Sequence, residues 1–473
     1  MDVRERVPSR PAIITVMAAA TSLSSVYPLG SRVNERGRLE VGGCDTIELA
    51  HEFGTPAYVV AEDDLRARAR AFVAAGHDAG QGDFHVVFAS KAFPCTAVLA
   101  LFAQEGLWCD VASGGELHLA LRAGFAPARI VLHGNAKSEE ELRMALRHRI
   151  GAIVIDNFDE IDRLERLLAE DAPDVPGAAV AGDGGNPTGR DRDAAGRDGE
   201  AAGRDGGQPV LVRVTPDVRG QTHEKISTGQ ADSKFGFAMA DAPDAIARVR
   251  SVPGLSLQGL HAHIGSQLLE LEPFRREVAG LATLGPFPMW DLGGGLGVLY
   301  TDGQSQPPAI EEYVATLVHA AHAHGMGIDG RLLIEPGRAL TANACVTLYT
   351  VQSVKQNVSR WVAVDGGMSD NLRPMLYGAA YEAHVADRLH GSTPCVLAGK
   401  HCESGDVIVR QAVLDDPRPG DVIVTPATGA YGYAMANNYN GVPRPPVIFC
   451  KDGDARLVVR RESFEDLTGR DVA

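Results

Sequence analysis

The sequence predicts an α/β plus β fold: a (β/α)8 TIM-like barrel with a separate C-terminal β-sandwich or β-barrel domain. Three observations carry this. Over residues 54–340, short apolar runs alternate with stretches of helical period, the pattern of parallel strands buried on both faces. After residue 340 the helical stretches drop out and short strands follow one another between turns. In the first part, residues with chemical potential fall just past the apolar runs, where parallel barrels place their active sites.

The elements run in this order. Residues 55–60 read as a strand and 62–75 as a helix, followed by strand 84–90 and a helix reaching residue 102. Strand 107–111, helix 115–123, strand 130–133, helix 138–146, strand 153–156 and helix 158–168 continue the series. Strands then recur at 209–214, 257–263, 289–292 and 331–335, giving about nine candidates, enough to close an eight-stranded barrel. Runs at 346–351, 360–364, 395–398, 406–409, 421–424 and 444–449 form the second unit, whose first strand is expected within residues 30–50. The division expected is an N-terminal extension over 1–30, first strands of the β domain over 31–58, the barrel over 59–341, and the β domain over 342–473.

Two segments stand outside this scheme. Arg4, Arg6 and Arg10 precede an apolar stretch at 12–20 that imitates a secretory signal, but the stretch lacks leucine and Asp2 and Glu5 dilute its basic end. A disordered extension, or a start upstream of a true start at Met17, is the expectation. Between 171 and 208, Gly-Arg-Asp recurs every seven residues with no consistently apolar position, so no coiled-coil seam exists. A disordered insertion without a chemical role is expected there.

Composition excludes several function classes. The 473 residues carry a formal net charge of −16, which disfavours a broad phosphate-binding surface and hence nucleic acid. No apolar run approaches the roughly 18 residues of a membrane-spanning helix. The seven cysteines are odd in number and scattered, with no Cys-x-x-Cys pair, which fits a reducing, cytoplasmic setting and neither a disulfide framework nor a zinc site.

Lys91 follows strand 84–90 in the apolar setting Phe88-Ala-Ser-Lys-Ala-Phe, where desolvation disfavours the ammonium form and favours a nucleophilic amine. Gly293-Gly-Gly-Leu-Gly follows a strand and can bring backbone N–H groups close to a phosphate. Glu335-Pro-Gly-Arg sets a carboxylate and a guanidinium at a strand end, suited to a cationic ring nitrogen and an anionic group. His261 and His263 alternate onto one face; no carboxylate or cysteine lies at ligand spacing, so no metal is expected, and stacking on a flat cofactor suits one imidazole better. In Cys402-Glu-Ser-Gly-Asp, a thiol beside Lys400, His401 and Glu403 can donate a proton. Each feature also has a structural reading: a snorkelling lysine, an empty glycine turn, a helix-entry ion pair, an inert thiol.

Their succession is more specific than any one of them. Ala-Ser-Lys-Ala, His-Gly-Asn-Ala-Lys, His-Ile-Gly-Ser-Gln, Asp-Leu-Gly-Gly-Gly-Leu-Gly, Glu-Pro-Gly-Arg, Asp-Gly-Gly-Met-Ser-Asp, Cys-Glu-Ser-Gly-Asp and Gly-Ala-Tyr follow in that order. The series resembles the diaminopimelate decarboxylases, of the group of pyridoxal-phosphate enzymes that includes alanine racemase, over about residues 39–459 apart from the insertion. The resemblance implies decarboxylation of meso-2,6-diaminopimelate to L-lysine with pyridoxal 5′-phosphate as cofactor. By the same resemblance Lys91 forms the Schiff base, His263 stacks on the pyridine ring and Glu335 keeps its nitrogen protonated. Gly294, Gly295 and Ser266 hold the phosphate, with Gly337, Arg338 and Tyr431 also on the cofactor. Arg338, Arg373, Tyr377, Glu403 and Tyr431 match substrate-binding positions, and Cys402 matches the proton donor. In the family the last pair, Cys402 and Glu403, serves the other subunit's site, which implies a homodimer.

Related decarboxylases of D-lysine, D-ornithine or a conjugated amino acid are the alternative. Arg373 together with the Cys-Glu-Ser-Gly-Asp element favours diaminopimelate, whose distal amino-acid end needs both a cation and an anion. A regulatory paralogue without catalysis would be expected to lose Lys91 or Cys402, and both are present.

Overall fold

The computed structural model describes residues 23–170, 206–218 and 233–472. The N-terminal segment up to residue 22 and insertion residues 171–205 lie outside the described residues, as does 219–232. Eight parallel strands form a closed ring: β1 (Phe84–Ala89), β2 (Trp108–Val111), β3 (Ile130–Leu132), β4 (Ala152–Ile155), β5 (Gln208–Thr215), β6 (Leu255–His261), β7 (Met289–Asp291) and β8 (Arg331–Ile334). Each strand pairs with the next, and β8 closes on β1 through Leu332 opposite Phe84 and Ile334 opposite Val86. Strand β5 begins at Gln208, the last residue assigned to the insertion.

Period-two alternation sorts the strand side chains. Val87, Trp108, Val131, Ala152, Val154, Leu211, Met289 and Leu333 form one buried cluster, drawn from seven of the eight strands. They fill the barrel interior with side chains, while neighbours such as Val86 and Phe88 belong to the larger core shared with the helices. The ends of the strands are thereby fixed against a rigid plug, and groups just beyond them are held in place.

The second unit is a sheet whose central strand, Cys345–Gln356, pairs with Arg360–Val364, Val422–Pro426 and Ala57–Ala61. Strand Ala57–Ala61 also runs parallel to Val447–Lys451. The ninth strand candidate, expected to begin the barrel series, is therefore part of the β unit, and a division after residue 58 would cut through it. Its residues alternate between two cores: Tyr58 and Val60 join the large one, while Ala57, Val59 and Ala61 pack with Val346, Leu348 and Ile448. A strand buried on both faces reads as continuously apolar in a barrel or a sheet, so periodicity does not separate the two cases.

The strands expected within residues 30–50 form a small antiparallel sheet of their own, Arg32–Val33, Leu39–Val41 and Cys44–Asp45. Leu39 N–H donates to the Ala386 carbonyl at 2.8 Å, tying this sheet to the β unit. Among the described residues no helix is long and apolar enough to cross a membrane.

Candidate active site

All eight barrel strands point their carboxyl ends at one mouth, and most carry a charged or aromatic group there. Lys91 sits in a 3-10 turn, Ser90–Ala92, directly after β1. Its amine lies 3.8 Å from Asp110, the fourth residue of the strand 107–111. Desolvation by the surrounding protein alone would lower the Lys91 pKa, but Asp110, Tyr431 and Glu335 together outweigh it and hold the amine above its ordinary value. The apolar neighbours of Lys91 suggested the opposite balance. Burial in turn pushes Asp110 up to about 6, against the pull of His133 and Lys91.

Glu335, just past β8, is buried against two imidazoles. His261 Nε2 is 3.2 Å from Oε2, and His133 Nε2 is 2.7 Å from Oε1. Burial opposes ionisation of Glu335, yet these imidazoles keep the carboxyl well below the ordinary range. Burial holds His261 at about 3, so it meets Glu335 as a neutral ring whose Nε2–H donates to the anion. The His133 contact is close but not aligned as a hydrogen bond, and Oε1 has no aligned donor among the described residues. An anionic oxygen in that position suits a cationic N–H, which a protonated pyridine offers.

Barrel closure also brings Asp291 to this group. Ligand-type atoms of His133, His261, Asp291 and Glu335 lie within 4.8 Å of one another. Sequence spacing showed no carboxylate near His261; the closed ring supplies two. Burial beside Glu335 pushes the Asp291 carboxyl well up, so one acid of the pair is neutral, and its Oδ1 accepts from Gly293 N–H at 3.0 Å.

The glycine run beyond β7 packs too closely for any side chain. A Cβ at Gly294 would lie 2.1 Å from the Glu335 carbonyl oxygen, and one at Gly295, where φ is +127°, would lie 2.7 Å from that of Gly265. Gly294 N–H donates to His263 Nδ1 at 3.1 Å, which fixes that imidazole beside the run. Burial, then the nearby Lys91 and Arg213 charges, keep His263 neutral. Gly337 caps the short helix Arg338–Thr341, and a Cβ there would come within 3.0 Å of Ala89 Cβ, next to the turn that carries Lys91.

Two buried guanidinium groups complete the mouth. Arg338 donates to Ser266 Oγ at 2.9 Å and to the Tyr300 hydroxyl, with its Cζ 4.8 Å above the Tyr431 ring. Arg373 donates to the Tyr381 hydroxyl and lies 4.5 Å over the Tyr300 ring. Hydroxyls and ring faces meet both cations, and no carboxylate pairs with either among the described residues. Burial opposes ionisation of Tyr300, but Arg338 and Arg373 bring its pKa below the ordinary value. Tyr431 takes a left-handed conformation, φ +63°, and its N–H donates to the Ala92 carbonyl at 2.8 Å, locking the Gly-Ala-Tyr turn to the Lys91 turn.

One cleft of 190 Å³ is lined by Lys91, His263, Ser266, Gly295, Glu335, Arg338, Arg373, Tyr377 and Tyr431, along with Ala89, Leu296 and Met435. The expected residues Lys91, His263, Ser266, Gly295, Glu335, Arg338, Arg373, Tyr377 and Tyr431 therefore converge, with Gly294 and Gly337 behind them. Cys402 and Glu403 do not join them within the chain. Cys402 is exposed, and Glu403 accepts from the Tyr439 hydroxyl at 2.7 Å. Asp406 of the same motif accepts from Met368 N–H at 2.8 Å and His401 N–H at 2.9 Å, so it ties the Asp-Gly-Gly-Met-Ser-Asp loop to the segment presenting Cys402.

Sequence reasoning missed Asp110, His133, Arg213, Tyr300 and Tyr381. A signal was present for two of them: Asp110 and Arg213 are charged residues inside short apolar strands, which are costly to bury without partners. Lys137, the last residue of His-Gly-Asn-Ala-Lys, is buried and donates to the carbonyls of Gly134 and Val154, both at 2.7 Å, and to Glu160 at 2.8 Å. It pins the loop that carries His133 to β4. Lys137→Met is expected to destabilise the protein by about 3–5 kcal/mol, since it leaves Glu160 buried without its counter-charge. Urea unfolding measures this, and a loss below about 1 kcal/mol would show that the pair is not the anchor.

A parallel barrel that gathers a lysine, an anionic carboxylate opposite it, and a glycine cradle at one mouth defines a pyridoxal-phosphate enzyme of the barrel type. Consistent with this, residues 63–342 match the family model described as "Pyridoxal-dependent decarboxylase, pyridoxal binding domain". The chain belongs to the diaminopimelate decarboxylase family. It is 43% identical to the diaminopimelate decarboxylase of Bacillus subtilis, covering 93% of this chain and 97% of that one. It is 40% identical to that of Mycobacterium bovis, covering 95% and 98%. The crystal structure of the M. jannaschii diaminopimelate decarboxylase in co-complex with L-lysine superposes with a TM-score of 0.82 at 30% identity, over 94% of this chain and 98% of that chain.

Proposed function

We propose that this chain decarboxylates meso-2,6-diaminopimelate to L-lysine and carbon dioxide, with pyridoxal 5′-phosphate held at the barrel mouth. The observation that carries this is one cleft in which Lys91 and Glu335 face a shared space beside two guanidinium groups free of carboxylate partners among the described residues. Bound there, pyridoxal phosphate supplies the electron sink for the electron pair that departing carbon dioxide leaves on Cα.

In this reading Lys91 carries the cofactor covalently through its amine. Glu335 Oε1 accepts from the ring nitrogen and holds its proton, with His261 and His133 keeping the carboxyl ionised. His263 lies against the ring face. Backbone N–H groups at Gly294 and Gly295, the Ser266 hydroxyl, the helix start at Gly337 and Arg338, and Tyr431 receive the phosphate. Arg338, Arg373 and Tyr377 orient the substrate, with Arg373 taking the distal carboxylate. The enzyme works as a cytoplasmic homodimer in which Cys402 and Glu403 of one subunit serve the cleft of the other. Cys402 then delivers the proton to Cα, and Glu403 takes the distal ammonium. Their exposure outside their own chain's cleft supports this arrangement.

Carbon dioxide release from meso-diaminopimelate, D-lysine and D-ornithine tests the substrate. D-Lysine leaves Arg373 buried without a carboxylate, so kcat/KM should fall on the order of 10²-fold or more. Equal rates would overturn the role of Arg373 and the substrate assignment. Glu335→Gln should lower kcat on the order of 10²–10³-fold, because a neutral amide does not hold a pyridinium proton. An unchanged kcat would remove Glu335 from the ring nitrogen.

A further inference from the structure

Beyond Gly297 the glycine run continues as Val298-Leu299-Tyr300, and neighbouring side chains pin this continuation. Gln267, which follows Ser266, donates through Nε2 to the Val298 carbonyl at 2.6 Å and accepts from Val298 N–H at 3.2 Å. Asn343 Nδ2 donates to the Leu299 carbonyl at 2.9 Å, and Gln304 Oε1 accepts from Tyr300 N–H at 2.9 Å. Tyr300 is thus a buried side chain on a fixed backbone.

One ring meets two cations. Its hydroxyl accepts from Arg338, which also donates to Ser266 on the loop that Gln267 ties to this one. Arg373 Cζ stands 4.5 Å from the ring centroid, and the Tyr381 ring, whose hydroxyl accepts from Arg373, packs edge-on against Tyr300 at 5.2 Å. Both arginines line the cleft and Tyr300 does not, so it acts through them. A carboxylate in its place would pair with a guanidinium fork and compete with the carboxylates of a ligand. An aliphatic side chain would leave the buried cations short of acceptors. A phenol holds them by a hydroxyl and a ring face, both weaker than an ion pair, and leaves them receptive to an anion entering the cleft.

We propose that Tyr300 is a positioning residue that fixes the spacing of the two guanidinium groups, and so selects an amino acid with a second carboxylate at its far end. Its hydroxyl sets Arg338 and its ring face sets Arg373. This rests on the reading in which Arg373 takes the distal carboxylate. The two parts of the side chain then have separable effects. Arg338 lies on the cofactor and bears on every substrate alike, whereas only a distal carboxylate uses Arg373.

Holoenzymes carrying Tyr300→Phe, Tyr300→Leu or Arg373→Gln are compared with wild type on meso-diaminopimelate and D-lysine, with kcat and KM measured separately. Tyr300→Phe should lower kcat/KM for both substrates by a common factor, on the order of 10-fold, and leave their ratio unchanged. Tyr300→Leu should further lower the value for meso-diaminopimelate alone, mostly through KM, so that the preference falls on the order of 10-fold or more. Arg373→Gln should remove the preference. A merely structural role would reduce both substrates together in Tyr300→Leu, and that result would overturn the proposal. Tyr300→Phe without effect on either substrate, or with the same loss of preference as Tyr300→Leu, would also overturn it, even where Tyr300→Leu does not fold. If Arg373→Gln keeps the preference, the distal-carboxylate reading fails and this proposal with it. If Arg373→Gln loses it and Tyr300→Leu does not, only the role of Tyr300 fails.

Discussion

Replacing Lys91 by alanine is expected to abolish the visible absorbance of bound cofactor and to lower carbon dioxide release on the order of 10⁴-fold or more. Among the described residues no other lysine lines the cleft to take its place. The fold should remain. Lys91 is about half exposed, at 48% for its side chain, and lies in a short turn held by backbone bonds, including Phe93 N–H to the Ser90 carbonyl. Asp110 loses its cation, but its carboxyl already sits near 6 and can take up a proton. Far-UV circular dichroism and the melting temperature should therefore match those of wild type stripped of cofactor. A variant that keeps the absorbance band would remove Lys91 from the cofactor, whatever its activity.

Mixing two inactive variants is expected to restore activity. A Lys91→Ala subunit lacks the cofactor amine but still lends Cys402, and a Cys402→Ala subunit has the reverse defect. After random exchange about half the dimers are mixed, each with one intact site of two, so recovery should approach roughly a quarter of wild-type activity. Exchange is followed independently by native mass spectrometry of differently tagged subunits. Exchange without recovery would mean that Cys402 acts within its own chain, and the shared site would be abandoned.

Much of this site was legible because barrel strands announce their own ends. A buried parallel strand is a short apolar run, so the first reactive residues after it, Lys91 after 84–90 and Glu335 after 331–334, are placed at the mouth by position alone. What surrounds them was not legible, since His133, Asp110 and Asp291 reach Lys91 and Glu335 across strands whose neighbours are set only when the ring closes. The protonation of Lys91 shows the difference: its apolar neighbours in sequence argue for a depressed pKa, and Asp110 on the adjacent strand, together with Tyr431 and Glu335, reverses the sign. Strand Ala57–Ala61 was misplaced for a related reason, because burial on both faces leaves no mark of which sheet does the burying.

That strand also sets the order in which the protein can be completed during synthesis. Ala57–Ala61 leaves the ribosome before any barrel strand, yet both of its partners, Cys345–Gln356 and Val447–Lys451, emerge after the barrel. A growing chain can close the ring while this early segment still waits, its backbone N–H and C=O groups without their ladder partners. The two halves of the β unit thus bracket the barrel, and the last contact between them forms only near release. Ribosome-bound chains arrested at residue 400 should therefore hold a closed barrel but expose the edge of strand 57–61 that later receives Val447–Lys451 to chaperones and proteases.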